Sequence, residues 1–314
     1  MSTPSHLLVP SLAAIFVIQT TEVLAQSAVP AAAPAAAKAA ALPPAPTPNG
    51  GAEVPTEPQI AFPGQYAPPH TDRLRPSNPK ACRTLDEEGR RATCFQNVAF
   101  DWPGFSRFAA ANRELAAPAP RERRVVFFGD SITDNWSRAT FGGFFPGKPY
   151  VNRGIGGQTS GQMLARFRQD VIALKPKAVV ILAGTNDVSG NVGPLEPEII
   201  QGYLTSLSEL ARLNGIKVVL AALLPVRDGV LGADGKPILR TKDRPPEKLA
   251  AMNQWIADYA RRNRHVFLDY HTAMADPGGA LKPELTYDGL HPNAKGYAVM
   301  GPLAEAALAK AIGK

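Results

Sequence analysis

From about residue 121 onward the chain alternates short apolar runs with longer amphipathic ones, a pattern that few architectures accommodate. The apolar runs are RVVFFG at 124–129, PYVN at 149–152, AVVILAG at 178–184, KVVLAALL at 217–224 and VFLDY at 266–270. They read as strands buried on both faces, because they lack the polar alternation of a strand with one solvated face. Between them lie SGQMLARFRQDVIAL, PEIIQGYLTSLSELARLNG and RPPEKLAAMNQWIADYARRNR, and NAKGYAVMGPLAEAALAKAIG closes the chain, all helix-like. Parallel strands need crossover connections, and helical crossovers cover both faces of the sheet. The expectation is a three-layer α/β/α domain over 121–314, built on a five-stranded parallel sheet.

The first 120 residues do not share this pattern. Residues 1–26 have an apolar core from about Leu7 to Ile18, then polar residues, then small ones at 25–28. That layout is an export signal, although the opening MSTPSH carries no Lys or Arg, and the apolar run is too short for a membrane span. Residues 27–75 are dominated by Pro and Ala, which forbid a continuous helix and offer no core, so a disordered tether is expected. Residues 76–120 read as a small ordered preface in which Trp102, Phe105 and Phe108 pack onto the main domain. This preface holds both cysteines of the chain, Cys82 and Cys94. In an exported protein they would form one disulfide, and in a cytosolic one they would stay reduced. The expected location is periplasmic or secreted.

Charge and spacing exclude several classes of function. The formal net charge is +7, but the cations are scattered, and RERR at 121–124 flanks a strand as a solvated edge rather than a nucleic-acid footprint. No His, Cys or carboxylate cluster has metal-ligand spacing, so neither zinc nor a two-metal centre is expected. The stretch GIGGQTSG departs from the dinucleotide fingerprint, since Thr159 occupies the third glycine position and the stretch follows the second strand. No cofactor, no nucleic acid and no stable membrane span are expected, and the pattern does not speak to oligomeric state.

Ligands of open parallel sheets bind at the carboxyl ends of the strands, and there the residues are chemically unusual. The first strand ends in Gly129-Asp130-Ser131, the second in NRGIGGQTSG (152–161), the third in AGTND (183–187). YDGLHPNAKGY (287–297) stands between the fifth strand and the last helix. Together these residue types suit acyl transfer. A serine hydroxyl becomes a nucleophile when a base takes its proton, His291 can be that base, and Asp288 can fix its tautomer. The Ser131 and Gly157 N–H groups and the Asn186 amide could hold the oxyanion, each such donor contributing about 2.7–4 kcal/mol. Gly154 is the alternative glycine of its block. Asp130 and Asp187 read as loop anchors, and His271 with Asp269 as a structural pair.

These four loops, in this order, resemble the SGNH hydrolases, the GDSL-type esterases and lipases. The resemblance rests on GDS around Ser131, the glycine block ending at Gly157, GTND around Asn186, and Asp288-x-x-His291. It implies a flavodoxin-like sheet and cofactor-free hydrolysis of a small-molecule or saccharide ester through an acyl-enzyme. The G-x-S-x-G elbow of other α/β-hydrolases is absent around Ser131. Short acyl groups, including acetyl groups on carbohydrate, are the favoured substrates. A lysophospholipase or thioesterase is the enzymatic alternative, and a non-catalytic envelope- or carbohydrate-binding module the alternative of another class. Trp136, Phe141, Phe144, Phe145 and Met163 could line a pocket or fill the core, and the long polar loop 227–248 is expected to shape substrate access.

Overall fold

The main sheet of the computed structural model has five parallel strands: β1 (Val125–Gly129), β2 (Tyr150–Gly154), β3 (Ala178–Leu182), β4 (Lys217–Ala221) and, after a small hairpin, β7 (Val266–Leu268). The hairpin pairs β5 (Val230–Leu231) with β6 (Pro237–Ile238) in the connection leaving β4. The described residues are 79–83, 85, 87–232 and 234–313. The expected signal segment 1–26 and the expected tether 27–75 lie outside them.

The strand order is β2-β1-β3-β4-β7. After β2 the chain crosses back to pair β3 with the other side of β1, and the direction of winding reverses there. Gly129 aligns with Gly154 on one side and Leu182 on the other, so three strand ends finish level and their loops emerge together. All five positions of β1 and of β3 are buried. Successive side chains of a strand point to opposite faces, so both faces are covered.

The covering helices are amphipathic. In chain order after the preface they are α4 (Ser131–Asn135), α5 (Ser160–Asp170), α6 (Thr185–Val188), α7 (Pro197–Leu213), α8 (Pro246–Arg262), α9 (Tyr270–Met274) and α10 (Ala294–Ile312). On α7 the buried set Ile200, Leu204, Leu207 and Ala211 recurs at intervals of three and four, one helical face. A capping box of Thr159 and Gln162 starts α5, and the Asn293 side chain accepts the Gly296 N–H (3.1 Å) to start α10. The result is the expected three-layer α/β/α fold. Trp136, Phe144 and Phe145 join Phe127, Tyr150 and Tyr297 in one aromatic cluster, and Met163 is fully buried, so these belong to the core. No helix among the described residues is long and apolar enough to cross a membrane.

The preface comprises α1 (Pro79–Arg83), α2 (Glu88–Phe100) and α3 (Ala109–Glu114). Cys82 and Cys94 are joined by a disulfide, and with Val98 they form a small core separate from the main one. Two of the three aromatic side chains expected to dock this piece do not, since Trp102 and Phe105 are 40% and 44% exposed. Their backbone is held instead. Gln162 donates to the Trp102 carbonyl (2.7 Å), Gln158 to that of Pro103 (2.6 Å) and Gln169 to that of Phe105 (2.9 Å). Phe108 lies beneath the Arg153 guanidinium, 4.7 Å from its ring centre.

Candidate active site

Each of the four loops delivers its side chain to the reversal point by local means. Ser131 opens α4, whose N-cap is Asp130, and the carboxylate there accepts the Ile132 N–H at 2.9 Å. The glycine block is fixed to the same helix, since the Asp134 carboxylate accepts the Gly156 N–H at 3.2 Å. Asp187 of α6 accepts from the backbone N–H (2.9 Å) and hydroxyl of Ser160, tying the third loop to the second. Asp288 and His291 share one tight turn. The Asp288 Oδ1 accepts the N–H groups of Leu290 (3.0 Å) and His291 (2.8 Å), and Gly289 turns the backbone at φ +82°.

These turns bring the distant residues into one line. The Asp288 Oδ2 lies 2.7 Å from His291 Nδ1, and His291 Nε2 lies 2.9 Å from Ser131 Oγ. Burial pushes the Asp288 carboxyl upward, but the hydrogen bond and charge of His291, with the two N–H groups, outweigh it and hold the group well below the usual range. An ionised Asp288 keeps the imidazole proton on Nδ1 and leaves the Nε2 lone pair facing the serine. Tyr287 lies parallel to the imidazole, with ring centres 5.7 Å apart, and its hydroxyl accepts from Asn135 (3.3 Å).

The Ser131 and Gly157 N–H groups make no hydrogen bond among the described residues. Gly154 differs: its N–H donates to Asn152 Oδ1 at 2.8 Å, so of the two candidate glycines only Gly157 has a free donor among the described residues. Asn186 is buried and its amide nitrogen donates to the Gln158 carbonyl (2.9 Å) and, at the longer distance of 3.3 Å, to Asp130. Asp269 caps α9 through the Thr272 N–H, at 2.9 Å. Among the described residues no group of three or more His, Cys, Asp or Glu side chains could hold a metal ion.

Sequence reasoning missed three residues that build this region. Arg166 is fully buried over the Phe128 ring (4.2 Å) and paired with Asp170 (3.0 Å). It donates to the carbonyls of Gly129 (3.2 Å) and Arg153 (2.9 Å), joining the ends of β1 and β2. Its signal was legible, because it shares the buried stripe of Met163 and Phe167 on an amphipathic helix. Arg240 and Arg244, on the loop after β4, carried no such signal.

Asp130 makes stability depend on pH. Burial pushes its carboxyl up to about 6, against the Ile132 N–H and the charges of His291 and Arg244. A carboxyl that binds its proton more tightly when folded favours folding below the unfolded value near 4, and that contribution is lost as pH rises through 6. Relative to Asp130→Asn, which does not titrate, the native protein will therefore lose on the order of 3 kcal/mol between pH 4 and pH 7. Urea midpoints of both proteins at the two pH values measure this. An unchanged difference would mean that Asp130 titrates alike folded and unfolded.

Comparison with known proteins agrees with this fold. Residues 127–299 match the GDSL-like Lipase/Acylhydrolase family. An acetylxylan esterase of Geobacillus stearothermophilus is 27% identical over 204 residues, spanning 56% of this chain and 90% of that protein. Among solved structures, a candidate acylhydrolase of Bacteroides fragilis is 42% identical with a TM-score of 0.61, covering 67% of this chain and 98% of its own. A GDSL-like lipase of Bacteroides thetaiotaomicron is 40% identical with a TM-score of 0.60, covering 67% and 99%. The chain belongs to the GDSL-like lipase/acylhydrolase family, the SGNH hydrolases, and is a carboxylic ester hydrolase.

Proposed function

We propose that the protein hydrolyses short-chain acyl esters, acetyl groups on saccharides among them, through an acyl-enzyme on Ser131. The observation that carries this reading is the line from Asp288 Oδ2 through His291 to Ser131 Oγ, with contacts of 2.7 and 2.9 Å. His291 Nε2 takes the serine proton as Oγ attacks the ester carbonyl, and Asp288 stabilises the imidazolium. The carbonyl oxygen becomes an oxyanion held by the Ser131 and Gly157 N–H groups and by Asn186, which gives up its long bond to Asp130. His291 then returns its proton to the departing alcohol as the C–O bond breaks. Water repeats the sequence on the acyl-enzyme, releasing the acid and restoring the serine.

The acetylxylan esterase relative supports the choice of acyl group and alcohol. The disulfide of the preface agrees with an oxidising compartment. We propose accordingly that residues 1–26 direct export, that 27–75 tether the protein outside the cytoplasm, and that 121–314 form the catalytic domain behind the 76–120 preface. Hydrolysis of p-nitrophenyl esters from acetate to palmitate tests the reading. The expected profile peaks at acetate to butyrate, with a burst of nitrophenol stoichiometric with enzyme. A maximum at long chains would favour the lysophospholipase alternative, and inertness on all esters and acetylated saccharides the binding module.

A further inference from the structure

The loop between β4 and α8 touches the site at two points. Its start is fastened to the Asp288–His291 turn, where the Arg227 N–H donates to the Gly289 carbonyl (2.8 Å), and Arg227 also pairs with Asp276. Its hairpin is closed by Thr241, which donates to Asp228 from the backbone (2.9 Å) and the hydroxyl. Just before Thr241, Arg240 donates to the Asp288 Oδ2 (2.8 Å) and to the carbonyl of the same residue (3.0 Å). Four residues later Arg244 is buried. Its Nε donates to Thr185 Oγ1 (3.1 Å), and its Nη2 to Asn186 Oδ1 (3.2 Å) and Ser189 Oγ (3.2 Å).

The chemistry of these bonds is directional. The Leu290 and His291 N–H groups hold the Asp288 Oδ1, and the Arg240 fork, spanning the side chain and backbone of the same residue, braces the Oδ2 that faces the imidazole. An asparagine amide has an oxygen end and a nitrogen end that differ little in shape, and it can flip. Guanidinium only donates, so Arg244 can bond only the oxygen end of Asn186, which leaves the nitrogen end directed at the Gln158 carbonyl and the Asp130 carboxylate beside Ser131. Burying a guanidinium is costly unless it is fully used, and burial holds the Arg244 group below the ordinary arginine range.

We propose that the described residues of the loop between β4 and α8, 227–232 and 234–245, form a strap holding both poles of the catalytic site. Arg240 braces the acid oxygen that faces the imidazole, and Arg244 locks the amide orientation of the oxyanion donor. Both are positioning residues, and the proposal rests on the roles assigned to Ser131, Asp288, His291 and Asn186.

Double-variant cycles on kcat for p-nitrophenyl acetate, in the full chain and normalised to active sites titrated with a phosphonate ester, test it. Arg244→Met will lower kcat about tenfold with little change in KM, the loss that goes with one charge-assisted hydrogen bond felt in the transition state. It will add nothing further to Asn186→Ala. Arg240→Gln will behave likewise against Asp288→Asn. Arg244→Lys, which keeps the charge but not the fork, will recover only part of the loss and covers the case in which the methionine variant does not fold. Losses that multiply in both double variants overturn the strap. Wild-type kcat in the arginine variants beside an inert Ser131→Ala overturns it too, leaving the serine mechanism standing. An active Ser131→Ala overturns both.

Discussion

Ser131→Ala will lower turnover of every ester by about 10⁴-fold or more while the protein stays folded. The only hydrogen bond of the Ser131 hydroxyl among the described residues is to His291 Nε2, which is partly open to solvent, so its removal strands no fully buried polar group and opens no large cavity. The Ser131 N–H and the other proposed oxyanion donors remain, and ester binding should survive with KM changed little. Steady-state kinetics with a thermal melt beside it make the measurement. Turnover within tenfold of the native protein would remove Ser131 from the chemistry, and a lowered melting temperature would assign it a structural part.

Gly154→Ala will unfold or severely weaken the protein. A Cβ built there would stand 2.2 Å from the Asp134 nitrogen and 2.7 Å from the Thr133 carbonyl carbon, both main-chain atoms of α4. No rotamer change relieves contacts with backbone, so α4 would have to move off β2, and α4 carries Ser131 at its first position. The expected cost is about 3 kcal/mol or more, at the upper end for overpacking, with turnover lost in whatever remains folded. Gly156→Ala is the internal control. Its Cβ would meet nothing nearer than 3.7 Å, an ordinary contact, and stability should be nearly unchanged. Urea denaturation of the two variants decides, and equal midpoints would show that the close approach at Gly154 is dispensable.

Much of this was legible in the sequence because the physics is local. RVVFFG and AVVILAG have no polar face to offer, so their burial in the middle of a parallel sheet followed from composition alone. The candidate site was legible because unusual residues recur wherever such a strand ends. Arg240 and Arg244 were not, since their partners lie 48 and 58 positions away and their loop has no periodicity that a face could betray. Trp102 and Phe105 were misread for a different reason. Apolar side chains are expected inside, but the protein surface is itself largely apolar, and an aromatic residue by itself does not say which surface it joins. A glutamine reaching for a carbonyl leaves no complementary pattern in the residue it holds.

That manner of docking has an evolutionary corollary. Gln158, Gln162 and Gln169 grip Pro103, Trp102 and Phe105 by carbonyls that every amino acid possesses. Mutations can therefore pass through the side chains at 102 and 105 without dislodging the segment, whereas changes to the three glutamines cannot be absorbed in the same way. The stretch is a variable rim mounted on an invariant grip. Related chains should differ freely there in what they present to solvent, and a library randomised at 102 and 105 should yield mostly folded protein.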